Sequence, residues 1–192
     1  MATNEKKKLD TVKTPRALGC YVFLKKARAA MEPGREDEYS ATLLWPKTTN
    51  LDAVKKAILD AAVEKFGPNA AASLGGRLRS PLRDGDEKFA ENGDVNFKGK
   101  LFINAKNTRR PGIVDAQNNV VDPAEVFSGC YFHAALRFFG YDKKGNKGVA
   151  ASLQNLMLVG KGPRIDGGKS ADKEFEGFTP DVMEDEDLSD MV

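Results

Sequence analysis

The stretch GCYFHAALRFFGYD, residues 129–142, decides the fold, because its side chains alternate in character with a period of two. This period predicts a β-strand with one buried and one outward face. The predicted inner face alternates large and small apolar residues, as the interior of a small barrel requires: Phe132, Ala134, Leu136 and Phe138. The predicted outward face is aromatic and basic: Tyr131, His133, Ala135, Arg137, Phe139 and Tyr141.

Four further segments read as strands because they are rich in β-branched, aromatic and apolar residues: residues 17–25, 39–47, 98–107 and 148–162. One amphipathic helix lies between them, with an apolar stripe from Leu51 to Phe66. Thr49 or Asn50 can cap this helix, and Gly67 ends it. Residues 68–96 show no periodicity and predict surface loops. The pattern predicts a mainly β protein, a five-stranded antiparallel barrel with one amphipathic helix and long loops.

The charge is distributed unevenly along the chain. The formal net charge is +2, but residues 171–192 hold nine acids and one lysine, a net of −8, which leaves +10 for residues 1–170. We expect a disordered basic N-terminus over 1–15, a folded domain over 16–170 and a disordered acidic tail over 171–192. The basic domain favours a polyanionic partner. The tail is predicted to bind a basic partner through Asp181, Glu184, Asp185, Glu186, Asp187 and Asp190.

Several classes of protein are not expected from this sequence. No apolar run reaches the roughly 18 residues of a membrane helix, and the N-terminus lacks the apolar stretch of a secretory signal, so we expect a soluble intracellular protein. Cys20 and Cys130 lie in apolar segments and predict buried, reduced thiols. The one histidine has no partners at metal-ligand spacing, and Pro163 stands where a phosphate loop before Gly168 needs glycine. We therefore predict no catalytic residues, no metal and no cofactor.

The outward face of residues 131–141 suits unpaired nucleotides, because bases stack on aromatic rings while cations contact phosphates. The alternative is that this face is also buried, and lysines at a hairpin tip are often only solubility residues. Trp45 shares a face with predicted core residues, so both core packing and stacking remain open for it. The predicted DNA-binding residues are Trp45, Lys47, Lys106, Arg109, Arg110, Tyr131, Arg137, Phe139, Tyr141, Lys143, Lys144 and Lys147.

Three stretches carry a resemblance to a known family: WPK before the helix, LFINAKNTRRPGIVD, and SGCYFHAALRFFGYDKKGNKGVAASLQNLMLVGKGPRIDGG. Together they make residues 16–170 similar to the phage single-stranded DNA-binding proteins, formerly a domain of unknown function and distantly similar to the replication proteins of lytic phages. The resemblance implies an OB-fold with an acidic C-terminus. It also implies DNA contacts at Lys47, Lys106, Arg137, Phe139 and Tyr141. The sequence ends Asp190-Met191-Val192, which departs from the aromatic terminus of many such tails.

The sequence thus predicts a sequence-independent single-stranded DNA-binding protein of phage DNA replication or recombination, without enzyme activity, in the cytoplasm of the infected bacterial host. We expect the tail to compete with DNA for the basic surface and to recruit a replication polymerase or helicase. The sequence also leaves a homodimer open as an assembly of this protein. Two alternatives are a strand-annealing recombination protein and a phage structural or adaptor protein without DNA binding. A nuclease would need clustered carboxylates, and the sequence shows none at convincing spacing.

Overall fold

The computed structural model describes residues 10–29, 34–165 and 176–179. Its strands are β1 (Val12–Lys13), β2 (Ala17–Arg28), β3 (Glu38–Pro46), β4 (Leu82–Asp84), β5 (Lys100–Asn107), β6 (Gly112–Val114), β7 (Cys130–Lys143) and β8 (Asn146–Lys161). Its α-helices are α1 (Asp52–Phe66) and α2 (Gly85–Asn92). Short 3-10 helices occupy Pro68–Ser73, Val95–Phe97 and Pro123–Glu125. The mainly β prediction is confirmed.

The strands form one eight-stranded sheet that closes on itself irregularly. A circuit of pairings runs from β7 through β2, β3, β5 and β8 back to β7. Two junctions in this circuit are short, since β2 joins β7 through two residue pairs and β5 joins β8 through two. The β5–β8 and β6–β8 pairings are parallel. The predicted five-stranded barrel is therefore wrong in strand number, because β1, β4 and β6 have only two or three residues each and are too short to show a strand pattern. The expectation of wholly antiparallel pairing is wrong for β5–β8 and β6–β8, because pairing direction depends on how the chain connects the strands and not on local sequence.

The main core lies inside this circuit and is covered by α1. The inner face predicted for β7 is confirmed, since its four apolar residues are at most 2% exposed. The helix contributes Val54, Ile58, Ala61 and Ala62 to the same cluster. Its first turn is held by Asn50, whose side-chain oxygen accepts a hydrogen bond from the Asp52 N–H at 2.8 Å. Burial of one helical stripe against the barrel is what stabilises this helix.

Residues 68–96 contain more structure than predicted. They form β4 and the second helix α2, so the expectation of a single helix was wrong. Asp84 caps α2 by accepting a hydrogen bond from the Asp86 N–H, and Gly93 ends the helix in the left-handed conformation. At eight residues, α2 is too short and too charged to show a helical stripe in sequence.

A second, smaller core lies on the side of β2, β3 and β5 that points away from the main core. There Phe97, from the 3-10 helix Val95–Phe97, packs with Cys20, Leu44 and Phe102. Cys20 and Cys130 are both buried, as predicted. No helix in the described part of the chain is long and apolar enough to cross a membrane.

Candidate nucleic-acid interface

The outer face of the closed sheet carries rings and cations in register. We call outer face the side of β3, β5, β7 and β8 that points away from the main core. Directly paired residues of neighbouring strands share a face. Ser152 of β8 pairs with Arg137 on one side and with Lys106 on the other, so both cations flank it on the outer face. One step along β7, Phe139 pairs with Ala150.

A half-open groove of about 350 Å³ runs across this face. Two residues of the predicted DNA-binding set, Lys106 and Tyr141, line it. The other lining residues come from β2, β3, β4, α2, β5, β8, the 3-10 helix Val95–Phe97 and the residue before β4, and the sequence analysis did not predict that these lie together: Tyr21, Thr42, Pro81, Arg83, Lys88, Phe97, Phe102, Asn104, Val149, Ala150 and Ala151. The groove therefore joins aromatic rings, three cations and two neutral polar side chains.

A row of contacting rings forms one wall of the groove. Tyr21 stacks on Phe97 with ring centroids 6.3 Å apart, and Phe97 meets Phe102 edge-on at 4.9 Å. The Arg83 guanidinium lies 5.3 Å from the Phe102 ring centre, in cation–π range. Nothing in the alternation of β2 or in residues 68–96 marks these residues as neighbours, so sequence reasoning missed them.

Tyr21 is exposed and held in an unusual conformation. It lies in a β-bulge of β2 with φ of 47°, in the left-handed region that tyrosine rarely adopts. Its hydroxyl donates to Asp94 Oδ2 at 2.7 Å. This hydrogen bond, together with partial burial, raises the pKa of Tyr21 to about 12. Strained exposed aromatics are enriched at binding sites, which makes Tyr21 a candidate contact.

The aromatic residues predicted on β7 are accessible. Phe139 is 45% exposed and Tyr131 is 37% exposed. Tyr131 lies ten positions before Tyr141, roughly 33 Å along the strand, so it is not part of the groove. Arg137 is half-buried, and its Nε has no hydrogen-bond partner within the described ranges. A buried donor without a partner is costly to the folded state.

Several predicted cations already hold carboxylates. Lys106 Nζ lies 2.7 Å from Glu38 Oε2, and Lys147 Nζ lies 3.1 Å from Asp142 Oδ2. Lys47 Nζ contacts Asp84 at 2.6 Å and Asp86 at 2.7 Å. Hydrogen bonds to these carboxylates raise the pKa of Lys47. A phosphate would have to replace a carboxylate at each of these lysines.

The remaining predicted cations lie at the ends of strands. Arg109 and Arg110 follow β5, and the Arg110 guanidinium donates to the Lys25 carbonyl at 3.0 Å while lying 5.2 Å from the Tyr39 ring centre. Lys143 and Lys144 are exposed at the tip of the β7–β8 hairpin. The acidic residues predicted to bind a partner, Asp181 to Asp190, lie outside the described residues.

Trp45 does not belong to this surface, which corrects its inclusion in the predicted site. Its side chain is fully buried in the main core. Its indole Nε1 donates to the Pro15 carbonyl at 3.1 Å. A base cannot stack on a ring with no exposed face, so Trp45 has a structural role.

Comparison with known proteins gives matches in sequence and in structure. A family model described as "Enterobacter phage Enc34, ssDNA-binding protein" matches residues 12–189. The "Putative protein p50" of Acyrthosiphon pisum secondary endosymbiont phage 1 is 31% identical over 161 residues, which cover 79% of this chain and 84% of that protein.

Two solved structures of the single-stranded DNA-binding protein from bacteriophage Enc34 are similar to this chain. A C-terminal truncation has a TM-score of 0.65 at 22% identity, covering 86% of this chain and 99% of that one. A complex with ssDNA has a TM-score of 0.63 at 24% identity, covering 84% and 96%. The gp2.5 single-stranded DNA-binding protein of bacteriophage T7 has a TM-score of 0.57 at 15% identity, covering 88% and 99%. These structures show a shared fold, which confirms the predicted OB-fold-like class.

Proposed function

Because the chain belongs to the family of the Enterobacter phage Enc34 ssDNA-binding protein, we propose that it binds single-stranded DNA along the outer face. The observation that carries this proposal is the groove, in which Lys106 lies near the exposed ring of Tyr21 and the half-buried ring of Tyr141. Ring stacking contributes about 1–3 kcal/mol per base without sequence preference. We propose that Lys106 and Arg137, which flank Ser152, contact phosphates of the strand.

Binding to a fluorescein-labelled oligothymidylate, followed by anisotropy, tests the proposal. We expect Phe139→Leu to weaken binding about five-fold or more, since leucine keeps the apolar surface but cannot stack. Val120→Ala is the control, because Val120 is 89% exposed in a loop after β6 and lies on none of the strands β3, β5, β7 and β8 that form the outer face. Affinity should fall with salt, at a slope of about −0.7 for each phosphate contact. Equal affinity of the Phe139→Leu variant and the unaltered protein would count against the proposed surface.

The biological setting belongs to the same proposal. We propose that the protein serves phage DNA replication or recombination in the cytoplasm of the infected host, by binding strands rather than by catalysis. The T7 protein with the same fold is itself a phage single-stranded DNA-binding protein, which supports this setting. Strand annealing stays an alternative, and an assay that mixes complementary strands with the protein separates the two.

We also propose that the acidic segment 171–192 regulates binding. Its net charge of −8 opposes the +10 of residues 1–170, so its carboxylates compete with phosphates at high effective concentration. Once displaced by DNA, the segment is available to basic patches on a polymerase or helicase. Deleting residues 171–192 should tighten binding to oligothymidylate at low salt and leave it nearly unchanged at high salt. Weaker binding by the deletion variant at low salt would contradict competition.

A further inference from the structure

Two neutral polar side chains face each other in the groove. Thr42 of β3 and Asn104 of β5 are direct partners across the two strands, and both line the groove. Thr42 is only 5% exposed, whereas Asn104 is exposed. Within the described residues, no hydrogen-bond partner occupies either side chain. Hydrogen-bonding groups that are free and point into a cavity are available to a ligand.

The neighbours of this pair are arranged in order along the strands. One two-residue step toward the start of β5, Leu44 pairs with Phe102, and one step the other way, Ser40 pairs with Lys106. Each step is about 6.6 Å. A ring, a polar pair and a cation therefore follow one another on one face. Phe102 is only 4% exposed, so it serves as an apolar wall and not as a stacking platform. A nucleotide presents groups that match the other two, namely the polar edge of its base and its phosphate.

We propose that Thr42 and Asn104 hydrogen-bond the Watson–Crick edge of one unpaired base held in the groove. This inference rests on the proposed function and adds the chemistry by which the groove selects single strands. Each of the four bases carries a donor beside an acceptor on that edge. An asparagine amide offers both, and a threonine hydroxyl can either donate or accept. The pair can therefore serve any base, but only a base whose edge is not already used by a complementary strand.

The space available suits this role. The volume of about 350 Å³ falls in the range of small-ligand pockets, roughly 300–1,000 Å³. Phe102 and Tyr141 supply apolar walls, and Lys106 lies at one end beside Ser40. A base that enters with its edge toward Asn104 leaves its sugar and phosphate near Lys106. Sequence tolerance and strand selectivity then come from the same two side chains.

An oligothymidylate whose thymines all carry an N3-methyl group tests this inference. The methyl group removes the donor of the edge and blocks the approach of the amide, while it keeps the ring available for stacking. Against unmodified oligothymidylate, we expect the unaltered protein to bind the methylated strand about three- to ten-fold more weakly. Asn104→Leu should bind both strands with similar affinity, and Thr42→Val should show a reduced ratio. Asn69→Leu, an exposed amide outside the groove, should keep the original ratio.

The possible results distinguish failure of the base-edge contact from failure of the proposed single-strand binding. Thermal melting by circular dichroism first establishes that each variant is folded. If Asn104→Leu keeps the original ratio, or if the unaltered protein binds both strands equally, the edge-reading role is overturned while strand binding stands. If the unaltered protein binds neither strand, the proposed function fails as well.

Discussion

If Lys106 contacts a phosphate as proposed, Glu38 occupies the position that the phosphate would take, so Glu38→Gln is the most direct test of the surface. The carboxylate lies 2.7 Å from Lys106 Nζ, and the side chains of Lys106 and Glu38 are 46% and 20% exposed. When DNA binds, this ion pair must break before Lys106 contacts a phosphate. Glutamine keeps the shape of the side chain but releases the lysine. We therefore expect Glu38→Gln to tighten single-strand binding.

The size of the effect follows from the exposure of the pair. Ion pairs this accessible to water contribute about 0.2–1 kcal/mol. In the Glu38→Gln variant this ion pair no longer has to be broken when a phosphate binds. Binding should therefore tighten by roughly 1.4- to 5-fold, because 1.4 kcal/mol corresponds to a factor of ten. The gain should be largest at low ionic strength, where screening is weak. Anisotropy titrations of a labelled dT oligomer at several salt concentrations measure it directly.

A double-mutant cycle decides whether the effect acts through Lys106. Asp60→Asn is the matched control, because it removes one carboxylate from a pair with Lys56 of similar length, 2.6 Å, on helix α1 away from the groove. In a Lys106→Met background, the gain from Glu38→Gln should shrink to the small effect of Asp60→Asn. An unchanged gain in that background would refute displacement of Glu38 by phosphate.

Three further predictions address individual side chains. Arg137→Met should leave the free energy of unfolding unchanged or raise it by up to about 1 kcal/mol, since a buried donor without a partner is removed. The same variant should bind the dT oligomer more weakly. A lower free energy of unfolding in urea would contradict the stability prediction. Trp45→Phe should cost about 1–3 kcal/mol, because a core ring shrinks and the bond to Pro15 is lost. Its dT affinity should not change, and a large loss of affinity in folded protein would restore a stacking role. The raised pKa of Tyr21, about 12 against an ordinary 10.0, means that its contribution to stability is complete below pH 10 and is lost as pH rises toward 12. Urea unfolding between pH 8 and 11 should therefore weaken less for Tyr21→Phe, and parallel pH profiles would disprove the role of the bond to Asp94.

The alternation of β7 could be read from sequence because a strand buried on one face must repeat every two residues. The same rule fails where a bulge intervenes. In β8 the buried apolar side chains are Val149, Ala151 and Leu153, but after a register shift at Gln154, which is itself buried, the next is Leu156. A bulge depends on the neighbouring strand, so local sequence does not locate it. The outward turn of Tyr21 escaped prediction for the same reason.

Long-range partners were also invisible in the sequence. The sequence predicts Lys47 as a DNA contact, yet Asp84 and Asp86, far along the chain, form ion pairs with it. The type of residue 47 correctly indicated a charged surface. Whether a carboxylate neutralises the charge of Lys47 depends on where β4 and α2 lie in the fold. Trp45 could have been assigned from its shared face with Leu43, since that face is core. For Trp45, the two-residue period of the sequence along β3 was a better guide to its position than the stacking capacity of its ring.

The placement of β1 beside β7 affects how the chain assembles. Val12 pairs with Leu136, and Lys13 pairs with Ala135. During synthesis the first strand leaves the ribosome early and must wait, unpaired, until most of the domain has been translated. Contacts this distant in sequence slow folding, because a large loop must close before any interaction rewards it. A nascent chain interrupted before residue 130 would leave the edge of β2 open, and we expect such fragments to aggregate or to depend on host chaperones.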